Sequence, residues 1–250
     1  MENLILLVQT LPPLPLFFAM FVLIYLTAYF VVFRRWTPKT RPVAASCVIS
    51  LFHGSPAAIL AARALISHPG LSFSSPNTPS EALVLDFSVA YFLTDILHYL
   101  VFFPTDVLFI GHHVATLYIF LSCRYIVRHG SYAILFLLIL AEVTSACQNT
   151  WTLGRVRRDD VPFAAKLYAY LSPPFYAFYS VVRGIVAPLF VYKMGAFYIS
   201  GQADSLVPRW AWVSWMTVVV IALLVSISWI YGLWCELYRE RTDKMKKKVR

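Results

Sequence analysis

An all-α polytopic integral membrane protein with about seven transmembrane helices is the fold class that this sequence predicts. Hydrophobic residues make up 60% of the 250-residue chain and charged residues 13%, which is half of the ~25% typical of soluble domains. The mean hydropathy is +0.69, and the apolar runs reach the roughly 20 residues that a helix needs to cross a bilayer. Within lipid, the backbone N–H and C=O groups must form hydrogen bonds inside the protein. Because the sequence shows no alternating strand pattern, we expect helices to provide these bonds.

The apolar segments follow one another in chain order, with short polar loops between them. They cover 14–33, 43–65, 82–103, 107–122, 131–153, 161–192 and 209–238. Proline removes a helical hydrogen bond and clashes with the preceding turn. The second segment is therefore expected to be interrupted at His53-Gly54-Ser55-Pro56, and the sixth to be broken at Pro173-Pro174 and at Pro188.

The basic residues fall mainly on one side of these segments. With seven spans, the first loop, the connector after the fifth segment and the tail share a side and carry fifteen of the 21 lysines and arginines. The positive-inside bias predicts a cytosolic C-terminus and a lumenal N-terminus. Topology alone accounts for the net charge of +9, so nucleic acid is not an expected partner.

The stretch 91–116 concentrates ionisable groups at membrane depth. Asp95 and His98 are three residues apart, so a helix places them on one face. A turn at 103–106 folds this segment against the next one, which carries His112 and His113, and puts the histidines of both segments about 9–12 Å into the membrane. Each ionisable group at this depth costs about 2.5–3.5 kcal/mol on insertion scales. The stretch is therefore the candidate functional site.

Other polar residues within the spans are also assigned by their position. Glu142 is expected to face an internal cavity or a partner group, and Arg183 is expected to pair with Glu142 or with a lipid phosphate. His53, beside a glycine and a proline, is expected to mark a helix break. Asp86 is expected to be water-exposed near the lumenal end of the third span.

Four sequence motifs together resemble the TLC-domain family, which includes the ceramide synthases, the translocating-chain-associating proteins and several lipid-homeostasis proteins. The motifs are GHHVATL preceded by Asp106, YFLTD in the third span, AEVTSACQNTW in the fifth and FYSVVRGIVAP in the sixth. The resemblance covers residues 41–241, taken as the TLC domain. Residues 1–40 precede it as a first transmembrane helix with a basic cytosolic loop, and 242–250 follow as a basic cytosolic tail.

The resemblance implies a helical bundle around a central cavity that accommodates lipid. It also implies catalytic roles for His112 and His113, with Asp95 beside them. We further expect lipid contacts from His98, Thr116, Glu142, Asn149 and Arg183. In ceramide synthases a His-Asp pair and a further Asp occupy the fifth span, where this chain has Ala141-Glu142 and Ser145. This departure favours the non-synthase members and a role in membrane lipid composition. The alternative is an N-acyltransferase that uses acyl-CoA as co-substrate and a lipid amine as acceptor.

The chemistry of the histidines leaves several roles open. A neutral imidazole can deprotonate an amine or attack an acyl thioester, and a carboxylate such as Asp95 can orient the ring. The histidines can equally serve as polar glue between helices. Adjacent histidines on a helix point about 100° apart and form a poor bidentate metal pair, so no metal is expected. No resident cofactor is expected either.

The expected partners are membrane lipids or acyl chains, with homo-oligomerisation left open. The family resemblance places the chain in the endoplasmic reticulum membrane. Lys247 and Lys248 match the cytosolic dilysine pattern of retrieval to that compartment, and they can also be read as a basic flank of the last span that contacts anionic lipid.

Overall fold

A computed structural model describes residues 12–249, except the side chains of 243, 244 and 247–249. Lys247 and Lys248, the residues of the dilysine prediction, therefore have no described side chains. Within the described range the secondary structure is helical, apart from an isolated bridge between Pro76 and His129. Seven helices are long and apolar enough to span a membrane, as the sequence predicts.

We number these helices in chain order, joining consecutive helical pieces that continue one rod. They are α1 Pro13–Val32, α2 Arg41–Ile66, α3 Pro79–Phe102, α4 Val107–Val127, α5 Ser131–Arg157, α6 Pro162–Ile199 and α7 Arg209–Val249. In the last of these, Arg209–Thr242 is the part apolar enough to span.

Two of the helices that border the site begin with side-chain caps. At the start of α3, the Thr78 N–H donates to Glu81 Oε2 over 2.7 Å and the Glu81 N–H donates to Thr78 Oγ1 over 3.3 Å, which is a capping box. At the start of α4, the Phe109 N–H donates to Asp106 Oδ1 over 3.3 Å. These caps satisfy backbone donors that have no partner within the helix and so fix where each helix starts.

Two of the three interruptions expected at prolines do not occur. Helix α2 is continuous through Pro56, and α6 is continuous through Pro173 and Pro174. Next to Pro188 the helix is irregular, because the π-helical turn Val182–Val186 ends just before the α-helical piece Ala187–Ile199 that carries this proline near its start. The other irregular points are π-helical turns at Ala28–Val32 and Ser122–Val127, and a break in α5 at 143–144. Neighbouring helices and local π adjustments can accommodate the hydrogen bonds that proline removes, so most of the irregular points lie away from the prolines.

Contacts between loops define two faces of the bundle. On one, Arg155 and Arg158 pair with Glu236 and Glu240 of α7, and the Arg157 guanidinium lies 4.5 Å from the Trp36 ring. We call it the tail face; it carries the first loop, the α3–α4 turn, the α5–α6 turn and the end of α7. This grouping matches the one assumed in the charge count.

On the opposite face, which we call the loop face, hydrogen bonds to backbone carbonyls join segments that are distant in sequence. The Asn77 N–H donates to the Arg128 carbonyl over 2.9 Å, and the Tyr198 hydroxyl donates to the Phe73 carbonyl over 3.0 Å. Together with the tail-face contacts, they show that the helices alternate in direction through the bundle.

Helix α3 is the central rod of the bundle. In the apolar 18-residue stretch of α3, 67% of the residues are buried, compared with 11% in that of α1. Phe21 of α1 packs against Phe87 and Tyr91 of α3, with ring centroids 5.1 and 5.7 Å apart. The acidic and aromatic residues of α3 are consequently enclosed by other helices.

The expectation that the Asp86 carboxylate is water-exposed was wrong. Its side chain is only 2% exposed. Arg124 donates to both of its oxygens, through Nε over 3.0 Å and Nη2 over 3.1 Å, and the Tyr125 hydroxyl donates over 2.7 Å. A bidentate, charge-assisted pair of this kind stabilises a buried carboxylate, so Asp86 joins α3 to the end of α4.

Candidate functional site

A cavity of about 580 Å³ lies inside the bundle, between helices α2 to α7. Its volume is within the roughly 300–1,000 Å³ of small-molecule pockets. Every site residue named from the sequence lines it: Asp95, His98, His112, His113, Thr116, Glu142, Asn149 and Arg183. Residues from four helices that are distant in sequence thus converge on one space.

The polar residues of the cavity form a band across it, and the lining between this band and the loop face is apolar. The polar part contains Asp95, His98, His112, His113, Glu142, Ser145, Gln148, Asn149 and Thr152. The apolar part contains Ile119, Phe120, Ile134, Leu137, Leu138, Val218 and Val219. Sequence order explains this arrangement, because the polar residues of α3, α4 and α5 lie between these apolar residues and the tail face. At the tail-face end the lining is apolar again, with Phe103, Val107, Leu108, Phe109 and Trp229.

Asp95 is the most heavily hydrogen-bonded group of the cavity. Ser46 Oγ donates to its Oδ1 over 2.8 Å, and the Tyr91 hydroxyl donates to its Oδ2 over 3.3 Å. His113 Nε2 lies 2.9 Å from the same Oδ2. Three partners on three helices therefore hold this carboxyl, which is 2% exposed, in a fixed position.

The two ring nitrogens of His113 both face acceptors. Nδ1 lies 2.8 Å from the Phe109 carbonyl oxygen, which can only accept, so Nδ1 carries a hydrogen. Nε2 faces Asp95, and this contact also needs a proton, either on the ring or on the carboxyl. The pair thus shares one proton and is neutral as a unit, and His113 has no nitrogen left for a ligand.

His112 is the imidazole that remains available to a ligand. Its side chain is exposed and lines the cavity, and its ring nitrogens have no hydrogen-bond partner among residues 12–249. Its ring centroid lies 5.7 Å from that of His113, with the planes 88° apart. The two neighbouring histidines therefore have different environments: His113 is fixed by Asp95, and His112 faces the cavity.

His98 connects the site to the first helix. Its Nδ1 lies 2.8 Å from the Tyr25 hydroxyl, and the two ring centroids are 5.4 Å apart. Because Tyr25 sits in an apolar run with no charged neighbour, its sequence context gave no reason to assign it to the site.

Glu142 lies at the break in α5 and approaches a second buried histidine. His53 Nδ1 is 4.0 Å from Glu142 Oε1, and His53 Nε2 is 3.1 Å from Ser88 Oγ. The His53 ring is fully buried and stacks on Tyr91, with centroids 4.0 Å apart and planes within 6°. His53 thus lies inside a continuous helix, between Glu142 and the tyrosine that contacts Asp95; it does not mark a helix break.

Arg183 does not form the ion pair with Glu142 that was one of the expected alternatives. Its Nη2 donates to the Ala141 carbonyl over 2.7 Å, just before the break at 143–144. Its Nε is buried without a partner among the described residues. The arginine therefore binds the end of a helical segment, and its guanidinium also lines the cavity near Glu142.

Two of the residues predicted to contact lipid donate side-chain hydrogen bonds within their own helices. Thr116 Oγ1 donates to the His112 carbonyl over 2.8 Å. Asn149 Nδ2 donates to the Ser145 carbonyl over 2.9 Å and contacts Ser145 Oγ at 3.1 Å. Each still lines the cavity. In the part of the chain that the structure describes, no three His, Cys, Asp or Glu side chains come together as a metal site.

Comparisons with known proteins point to one family. The TLC-domain family model matches residues 44–235. A TLC domain-containing protein of Arabidopsis thaliana is 60% identical over 246 residues, a match that covers 96% of this chain and 97% of that protein. No solved structure matches.

Proposed function

The chain belongs to the TLC-domain family, and we propose that it binds a lipid or acyl chain in the bundle cavity and acts in lipid homeostasis of the endoplasmic reticulum membrane. The observation that carries this proposal is the polar band of the cavity with an apolar part beside it. This arrangement suits an amphiphile whose polar head lies beside His112 and whose chain extends toward Ile134 and Val219.

The residues at the polar end can recognise a head group without moving. Asp95 and His113 satisfy each other, so they present a neutral, fixed wall. His112 offers one donor and one acceptor when neutral, Arg183 adds donors, and the Glu142 carboxyl adds an acceptor oxygen. A head group that both donates and accepts hydrogen bonds fits this set.

Acyl transfer is the second candidate, favoured by the free nitrogens of His112. In that reaction a neutral ring nitrogen would attack the thioester carbonyl of acyl-CoA, forming an acyl-imidazole and releasing the CoA thiol. A lipid amine would then take the acyl group and return the imidazole, losing a proton to the ring. The His113–Asp95 pair would position His112 through the packed rings.

Native mass spectrometry of the protein released from lipid nanodiscs tests the proposal. Ala115 lines the cavity, whereas its neighbour Val114 is 52% exposed and does not. We expect a bound lipid or acyl mass on the wild type and on Val114→Trp, and loss of that mass in Ala115→Trp, because the indole fills the cavity. Retention of the mass in Ala115→Trp, or no bound mass on the wild type, would refute lipid binding in this cavity.

The same spectra address the second candidate. After incubation with acyl-CoA, a covalent acyl mass that maps to His112 and disappears in His112→Gln would support transfer. A lipid mass lost on denaturation, with no covalent adduct, would support binding alone.

A further inference from the structure

Helices α4 and α7 contact each other near both ends of the cavity. Toward the loop face, the hydroxyls of Tyr118 and Ser214 are 2.7 Å apart, and Trp215 Nε1 donates to Ser122 Oγ over 2.9 Å. Toward the tail face, Phe109 stacks on Trp229, with ring centroids 5.7 Å apart. Between these contacts, the described side chains of the two helices share no hydrogen bond.

The part of α4 between these contacts presents small residues to α7. Phe109 and Ser122 are thirteen residues apart on α4, and Trp215 and Trp229 are fourteen residues apart on α7, about 20 and 21 Å of helix, so the two helices run side by side from one contact to the other. Gly111 and Ala115 continue the Tyr118–Ser122 stripe of α4 at helical spacing. A Cβ built on Gly111 meets no atom within 4 Å, so open space separates the two helices at this point, and we call it the gap.

The cavity reaches the outer surface of the bundle in this gap. Gly111 lies on the exposed stripe of α4, together with Val107, Val114 and Tyr118, and it also lines the cavity. On α7, Ile221 is 56% exposed and lines the same cavity. Residues that belong to both surfaces mark an opening.

Gly111 has no structural requirement for glycine. Its backbone φ is not positive, and a Cβ built there meets no atom within 4 Å. Gly111 is one turn, about 6 Å, inside the start of α4. Between the two contacts, the cavity-lining residues of α4 and α7 include the small or apolar Ala115, Ile221, Ala222 and Val225, with His112, Thr116 and Ser226 among them. Glycine here leaves space that a larger side chain would occupy.

We infer that the gap between α4 and α7 is a lateral portal through which a membrane lipid passes from the bilayer into the cavity. The inference rests on the proposed function and deepens it, because it identifies the ligand as a bilayer-resident lipid with an apolar chain. The portal edges are apolar and suit the passage of such a chain, while the polar end of the cavity lies within reach of its head group.

The experiment measures how fast a photoreactive lipid loads from the membrane. The purified full-length protein in lipid nanodiscs receives a diazirine-bearing fatty acid, and adducts are quantified after irradiation at increasing delays. The test variant is Gly111→Phe. The control is Gly232→Phe, since a Cβ at Gly232 also meets nothing within 4 Å and Gly232 does not line the cavity. A parallel sample of each protein is loaded in detergent, where no bilayer restricts access.

We expect Gly111→Phe to load from nanodiscs about tenfold more slowly than the wild type and Gly232→Phe, and to reach the wild-type adduct level in detergent. Equal loading rates for all three proteins would overturn the portal while leaving lipid binding intact. An equal loss of adduct in detergent and nanodiscs would also overturn it, since the phenyl ring would then be filling the cavity. Absence of cavity adducts on the wild type would refute the proposed function itself.

Discussion

His113 and Asp95 satisfy each other, since Nε2 and Oδ2 are 2.9 Å apart, and each is almost fully buried. The other nitrogen of His113 is held by the Phe109 carbonyl, so the histidine cannot rotate without losing a bond. The two histidines of the GHH sequence therefore differ in their contacts. One histidine is a fixed part of the cavity wall, and the other faces the space where a ligand would sit.

The Asp95 carboxyl is predicted to be more important for stability than for contact with a ligand. Asp95→Ala leaves Ser46, Tyr91 and His113 without their acceptor and should lower the free energy of unfolding by about 3–5 kcal/mol, as for other broken buried pairs. Asp95→Asn keeps an acceptor oxygen and should cost less. Thermal unfolding in detergent checks this order, and an Asp95→Ala protein as stable as Asp95→Asn would contradict it.

Substitutions of the two histidines should separate fold from function. His112→Ala should change the free energy of unfolding by no more than about 0.5 kcal/mol, as for exposed residues whose side chains make no hydrogen bond, yet abolish the effect of the protein on the lipid profile of cells. His113→Ala should reduce both, because it leaves Asp95 without its histidine partner. The measurements are Tm and the lipid profile of null cells expressing each variant. If His112→Ala restores the profile fully, His112 has no functional role.

Gly54 is predicted to be required for the close approach of α2 and α5. A Cβ at Gly54 would lie 2.5 Å from Ser145 Oγ and 2.8 Å from Glu142 Oε2. Gly54→Ala should therefore destabilise the protein by about 1–3 kcal/mol through overpacking. Gly232→Ala, where the added methyl group meets nothing within 4 Å, should instead stabilise it by about 0.5–1 kcal/mol. Thermal unfolding gives both signs; a stable Gly54→Ala protein would show that the helices can separate.

Asp86 and Arg124 are predicted to depend on each other. Arg124→Ala leaves the buried Asp86 carboxylate with the Tyr125 hydroxyl alone and should cost about 3–5 kcal/mol. Adding Asp86→Ala to Arg124→Ala removes the stranded charge and should recover part of the loss. A double-mutant cycle on Tm checks this. Additive effects would mean that the ion pair contributes little.

The sequence was sufficient to predict the helices and the polar face of the cavity, because hydropathy and spacing carry that information. Each of the seven spans is present, and the GHHVATL and YFLTD segments lie side by side. The partners were harder to predict. Tyr25 and Ser46 are ordinary residues of apolar helices, and only tertiary packing brings them to His98 and Asp95.

Local rules failed where neighbouring helices compensate. Pro56 suggested a break in α2, yet the helix continues and carries His53 to Glu142. The actual break in α5, at 143–144, has no proline or glycine, and Arg183 on another helix binds the Ala141 carbonyl beside it. A single-sequence argument has no access to such compensation, since it depends on which helix lies next to which.

The most direct test of the account maps where a bound fatty acid lies inside the cavity. Two photoreactive fatty acids are used, one with its diazirine near the carboxyl group and one with it at the far end of the chain, and adducts are located by peptide mass spectrometry. We expect the first to label His112, Ala115, Thr116 and 142–149 and the second to label 134–138 and 218–223, because the cavity is polar near His112 and apolar near Ile134. Labelling in the reverse order, or confined to outward-facing residues such as Val114 and Leu224, would contradict the account.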